Sequence, residues 1–314
     1  MDRRRFLQTA AATALATQAR AQRPNEPKLK VDAYSRHLQW LRTPEEVAEA
    51  VVEMGYQGLD LTVRPYPGHV DPARVTEDLA PFVRAIRKHG IEVNSITCPI
   101  TDADSPNAEA MLKAASDLGI RYYWWGTFRY DKNTPVIQQL DALKPRVAKL
   151  AALNAKYNMT AMYHTYSGSQ MVGAAMWDFL YVLRDFDPAQ VGFHYDIGHM
   201  TNAGGNGTWE TSLRAAGTYV RGVSVKDSFI EKTPDGKWRV RYVPLGEGNV
   251  QLAQFASILK AIRFSGPIEI QAEYPNGGAE NAMDKLTLPR SQVLGAMKND
   301  LSVLQRVLTE VGLA

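Results

Sequence analysis

Five short stretches of this 314-residue chain carry most of the side chains that could do chemistry. Residues 194–199 read His-Tyr-Asp-Ile-Gly-His, and 160–164 read Thr-Ala-Met-Tyr-His. Residues 224–227 read Ser-Val-Lys-Asp, 269–273 read Glu-Ile-Gln-Ala-Glu, and 60–64 read Asp-Leu-Thr-Val-Arg, with His69 in the following loop. In an extended chain every second side chain shares a face. His194 and Asp196 then point one way, as do Thr160, Met162 and His164, Ser224 and Lys226, Glu269, Gln271 and Glu273, and Asp60, Thr62 and Arg64. A carboxylate at Asp196 beside the imidazole of His199 suits a divalent metal or a sugar hydroxyl. His164 and Glu273 each end an apolar run, which makes them the polar tips of their strands. Lys226-Asp227 reads either as a site cation or as a local solvated pair, and Glu269, one pleat deeper, as a hydrogen-bonded interior group. Arg64 and His69 are either anion clamps or loop holders. Trp124 and Trp125 alternate, so one should face a site and the other the packing layer.

These residues need elements to hold them. Thr43-Pro44-Glu45-Glu46 offers an N-cap, a proline at the first helical position and a reciprocal glutamate, with Gly55 as the stop. Ser105-Pro106 and Thr134-Pro135 repeat the start, and Gly90 and Gly119 repeat the stop. Strands are expected near 31–35, 57–63, 91–98, 120–127, 159–164, 191–196, 220–226 and 267–273. Eight strands alternating with helices, about thirty residues per unit, predict a single (β/α)8 barrel over residues 22–314. A doubly wound sheet would call for a Gly-rich turn after the first strand, and Tyr34-Ser35-Arg36 is not one. Leu294, Met297, Leu301, Leu304 and Leu308 recur at helical spacing and predict a closing helix. Residues 202–207 (NAGGNG) and 228–250 read as loops. In such barrels chemistry sits at the C-terminal ends of the strands, where the five stretches would gather.

Composition narrows the function. The chain is 45% hydrophobic and 22% charged, which is globular, and its one cysteine, Cys98, excludes an intramolecular disulfide or a Cys-rich metal site. The formal charge is +3. Arg3, Arg4, Arg5 and Arg20 against Asp2 account for all of it, so the remainder is neutral and gives no electrostatic ground for binding nucleic acid or an anionic membrane. Residues 1–21 combine this basic start, a short alanine-rich stretch and Ala19-Arg20-Ala21, the parts of a cleavable export signal, too short in its apolar part for stable membrane insertion. Arg3-Arg4-Arg5-Phe6-Leu7 resembles the twin-arginine signal, which implies the twin-arginine translocation machinery as a partner during export and a periplasmic location.

DIGH at 196–199, VKD at 225–227, EYP at 273–275, DLTVRP at 60–65 and GHV at 68–70 together resemble the sugar phosphate isomerase/epimerase group, the xylose isomerase-like barrels related to endonuclease IV. The resemblance implies one divalent cation (Mn, Co, Zn or Fe) held by Glu, Asp, His and Glu from strands five to eight. Asp196 and Glu273 fill the second and fourth places, His164 falls on the first, and Ser224 falls on the third, where many relatives have His. The implied metal ligands are therefore His164, Asp196 and Glu273. Lys226 could fill the space left at Ser224 as a cation or acid, competing with metal. His199 matches a substrate-contacting histidine of the epimerases, and Arg64, His69, Trp124 and Arg129 are further candidate substrate contacts. The implied activity is proton transfer next to a carbonyl by an isomerase or epimerase acting on an unphosphorylated sugar, with Glu273 and His164 as bases and Lys226 or metal as electrophile. A lyase or hydratase acting on a keto-sugar, keto-glycoside or inosose needs only one base and one acid. A non-catalytic sugar-binding barrel is the third reading. The partner in each is a small carbohydrate, and a homo-oligomer is compatible with all three.

Overall fold

In the computed structural model, which describes residues 28–314, the strands follow the expected apolar runs closely. They are β1 (Val31–Tyr34), β2 (Gly58–Thr62), β3 (Glu92–Thr97), β4 (Tyr122–Trp125), β5 (Thr160–His164), β6 (Val191–Asp196), β7 (Val220–Val225), β8 (Asp227–Lys232), β9 (Trp238–Val243) and β10 (Ile268–Ile270). Strands β1 to β7 pair in parallel in sequence order, and β10 closes the ring between β7 and β1. The helices are α1 (Pro44–Met54), α2 (Val75–Lys88), α3 (Ala108–Asp117), α4 (Val136–Tyr157), α5 (Trp177–Leu183), α6 (Ile197–Ala216), α7 (Leu252–Ala261) and α8 (Arg290–Val311). This is a closed (β/α)8 barrel, as the alternation of strands and helices predicts. The export signal expected at 1–21 lies outside the described residues. Among the described residues no helix is long and apolar enough to cross a membrane.

Local chemistry explains the elements. Thr43 and Glu46 form the reciprocal cap of α1, with Pro44 at its first position, and Gly55 ends it at φ 89°. In α8, Leu294, Met297, Leu301, Leu304 and Leu308 are all buried, each contributing roughly 1.5–3 kcal/mol. This stripe seats α8 between α7 and α1 and completes the helical ring. Alternation along the strands sorts two layers. Trp125 points outward and packs on Phe128, Tyr163 and Phe179. Trp124 points inward, against Tyr34, His164 and His194.

Two expected loops are partly regular. Residues 227–243 form an antiparallel hairpin of β8 and β9. Both strands are only partly buried, so they lack the continuous apolar run by which a buried strand is read. The turn Thr233-Pro234-Asp235-Gly236 carries the Pro-Asp-Gly signature of a hairpin. Asp227 anchors its base, its carboxylate accepting from the backbone N–H groups of Ser228, Gly246, Gly248 and Val250. The glycine-rich stretch 202–207 lies inside α6, and only Gly205, at φ 60° and ψ −172°, leaves the helix. Strand β10 is also short, so Gln271 and Glu273 extend beyond it.

Candidate active site

Lys226 is the centre of the C-terminal mouth. It follows β7 directly and is buried, with a side-chain exposure of 1%. Its ammonium lies 2.9 Å from Asp196 Oδ2 and donates at 3.1 Å to both Glu273 Oε2 and Gln271 Oε1. It also lies 2.9 Å from His199 Nε2, whose lone pair can accept while Nδ1, 3.2 Å from Ser167 Oγ, carries the proton. Gly198 makes room for the lysine stem, since a Cβ there would stand 2.6 Å from Lys226 Cγ. Burial alone would lower the lysine pKa, but Asp196 and Glu273 outweigh it and the net shift is upward. The reading of Lys226-Asp227 as a solvated pair is therefore corrected: both are buried, one binding carboxylates and the other backbone.

Asp196 caps α6, its Oδ1 accepting from the His199 backbone at 2.7 Å. Its Oδ2 also lies 3.5 Å from His164 Nε2. His164 stacks under Trp124 with ring centroids 4.2 Å apart, and its Nδ1 is 3.3 Å from His194 Nδ1. Burial first, then His194, Lys226 and His199, push the His164 pKa well below its ordinary value. Burial likewise takes His194 to about 4 and, with Lys226, His199 to about 3. These imidazoles are neutral. Deeper in the barrel, Glu269 accepts from Gln271 Nε2 at 2.8 Å and lies 3.7 Å from His194, as an interior group should. Burial raises its pKa well above the ordinary carboxylate value, with Asp60 adding to the shift.

Above this cluster opens a cavity of about 540 Å3, lined by residues that include Tyr34, Arg36, Arg64, Trp124, Tyr166 and Glu273. The volume suits a monosaccharide. Of the sequence candidates, Glu273, Arg64 and Trp124 line the cavity. His164, Asp196, His199 and Lys226 do not line it; they are buried in the cluster beside Glu273 and Trp124. Arg129 lines a neighbouring crevice that shares Tyr166. His69 is outside the cavity lining: its Nδ1 lies 2.9 Å from Thr62 Oγ1 and 2.8 Å from Gln39 Nε2, so it holds the loop. Sequence reasoning missed Arg36, Tyr34 and Tyr166. Each stands at or within two residues of a strand end, the position that marks this mouth.

A metal can be tested against these donors. His164, Asp196 and His199 each offer a ligand atom, all within 4.8 Å of one another, a group that could hold a divalent ion. Glu273, the third ligand suggested by the sequence, is not in this group. Transition-metal bonds to N and O run at about 2.0–2.2 Å, and the Lys226 ammonium already lies 2.9 Å from both Asp196 Oδ2 and His199 Nε2. With Lys226 in place, the donor chemistry suits a metal but the arrangement does not fit one.

The family model for xylose isomerase-like TIM barrels matches residues 48–289. The chain belongs to this family. Similar solved structures include a protein named IOLI with a bound zinc atom (14% identity, TM-score 0.69, covering 90% of this chain and 99% of that one). Others are D-psicose 3-epimerase with D-tagatose from Clostridium cellulolyticum H10 (14%, 0.66, 89% and 99%) and the 3-keto-D-glucoside 4-epimerase YcjR from E. coli (14%, 0.63, 89% and 100%). At such identities the xylose isomerase-like likeness is one of fold. No curated protein matches the sequence.

Proposed function

We propose that this barrel is a sugar isomerase or epimerase that moves a proton at the carbon next to a carbonyl, with Glu273 as the base. The observation that carries the reading is that Glu273 is the carboxylate on the cavity wall, held in direction by Lys226 at 3.1 Å. Its side chain is 28% exposed, against 1% for Lys226, so Glu273 meets the substrate and Lys226 positions it from behind. A sugar ring stacks on Trp124 and Tyr166. Glu273 takes the proton, the carbonyl oxygen gains negative charge, and the positive side chains around the cavity favour that charge. In isomerisation the protonated carboxyl then delivers the proton to the former carbonyl carbon while the adjacent hydroxyl passes its proton to the enediolate oxygen; in epimerisation a proton returns to the same carbon from the opposite face.

His164, the expected second base, is buried beneath Trp124. A lone base favours transfer on one face, as in aldose–ketose interconversion, over inversion by two opposed groups. It serves a lyase equally, which would lose a hydroxyl after the same first step. A divalent cofactor (Mn, Co, Zn or Fe) would take His164, Asp196 and His199 only with Lys226 moved aside. We further propose that residues 1–21 send the protein to the periplasm by the twin-arginine route.

The test is NMR in deuterated water with D-tagatose, D-psicose and L-ribulose as probes. Wild type should place deuterium next to the carbonyl. Glu273→Gln, which keeps size and hydrogen bonding but cannot take a proton, should lower turnover about a hundred- to ten-thousandfold. Exchange at the wild-type rate in Glu273→Gln would remove Glu273 from the role. Binding without exchange in wild type would favour the sugar-binding reading, and formation of an enone would favour the lyase.

A further inference from the structure

The cavity wall is unequally charged. Arg36 and Arg64 line it as cations, and its carboxylate, Glu273, is already paired with Lys226. Among the described residues neither arginine has a carboxylate partner: Arg36 Nη1 donates at 2.7 Å to the Glu280 carbonyl, and Arg64 has no side-chain partner. Of the charged side chains that line the cavity, Arg36 and Arg64 are cations and Glu273 is the carboxylate, which leaves one positive charge on the wall.

Both guanidinium groups are carried on fixed backbone. Ser35 Oγ accepts from the Thr62 backbone at 2.8 Å and lies 3.1 Å from Thr62 Oγ1, tying the turn before Arg36 to the strand end before Arg64. His69 and Gln39 bind the same hydroxyl, so the 63–70 loop is pinned at both ends. The loop folds back onto the Arg64 stem so closely that a Cβ on Gly68 would stand 2.7 Å from Arg64 Cγ and 2.2 Å from its carbonyl oxygen.

Building on the proton-transfer reading, we infer that the substrate is a sugar acid, a monosaccharide whose single carboxylate is held by Arg36 and Arg64 while the carbon next to its carbonyl faces Glu273. The planar fork of arginine matches a carboxylate in two hydrogen bonds. One carboxylate also balances the surplus charge, whereas a phosphate ester, at about −1.5 to −2, overshoots it.

Calorimetric titration at fixed pH and ionic strength tests this, using D-galacturonate and D-glucuronate against D-galactose, D-glucose and D-glucose 6-phosphate. At least one acid should bind tenfold or more tighter than its neutral counterpart. Arg64→Gln should lower the ratio of acid to neutral-sugar affinity tenfold or more, and Arg64→Lys should keep part of it, with circular dichroism confirming the fold of both. Equal affinities, no binding by any acid at millimolar concentration, tighter binding of the phosphate ester, or a preference that survives Arg64→Gln would overturn the inference. Binding is read separately from turnover, so an acid that binds in this way without exchanging deuterium counts against the proton-transfer reading alone.

Discussion

Lys226 brings a charge into the barrel wall and is tolerated there because Asp196 and Glu273 surround it. Removing one partner of such a buried set costs about 3–5 kcal/mol. Lys226→Met should therefore lose stability of that order in urea unfolding at pH 7. The same variant frees Asp196 Oδ2 and His199 Nε2, so cobalt should restore part of the loss and give a visible ligand-field band, while wild type should keep its melting temperature in chelator. A wild-type protein holding one metal per chain, and melting lower once it is stripped, would refute the displacement of metal by Lys226. At this scale the sequence was informative about residue type and strand face, because alternation brings Asp196, Lys226 and Glu273 to one mouth. It was silent on depth. Which of them reach the cavity depends on the Trp124 ring covering His164 and on β10 ending early at Ile270, neither of which has a local sequence signal.

Each element was legible where one rule dominates. A strand buried on both faces reads as an apolar run, and a capped helix announces its start, so β1 to β7 and α1 stand close to where they were expected. The hairpin failed that rule because β8 and β9 are half in water, and α6 because its glycines outweighed the helical context on either side of Gly205. The β2 loop offers a test at this scale. Burial takes the His69 pKa down to about 4 in the folded protein, from an ordinary 6.5. As pH falls from about 6.5 toward 4, the unfolded chain takes up a proton that the folded imidazole refuses, so stability is lost across that window. His69→Gln removes this contribution. Measured by urea unfolding, the drop from pH 7 to pH 5 should shrink by up to about 2 kcal/mol relative to wild type. An unchanged drop would mean that His69 does not set the slope.

The whole chain concentrates its net charge in its first 21 residues and leaves the barrel neutral. That division motivates the export prediction. Replacing Arg3 and Arg4 by lysine should hold the precursor in the cytoplasm, read by fractionation and immunoblotting, and unchanged periplasmic recovery would end the idea.

The hairpin has a consequence for how such a barrel can change over generations. It leaves the wall between Lys226 and α7, and Asp227 clamps its two ends together with four backbone hydrogen bonds. Beyond that clamp the segment can lengthen, shorten or be exchanged without shifting the register of any barrel strand. Tyr242, whose ring lies 5.4 Å from the Lys226 ammonium, is the point at which such drift would be felt inside. Variation among descendants of this chain should therefore accumulate in the outer hairpin first, while Asp227 and Tyr242 are held by what lies beneath them.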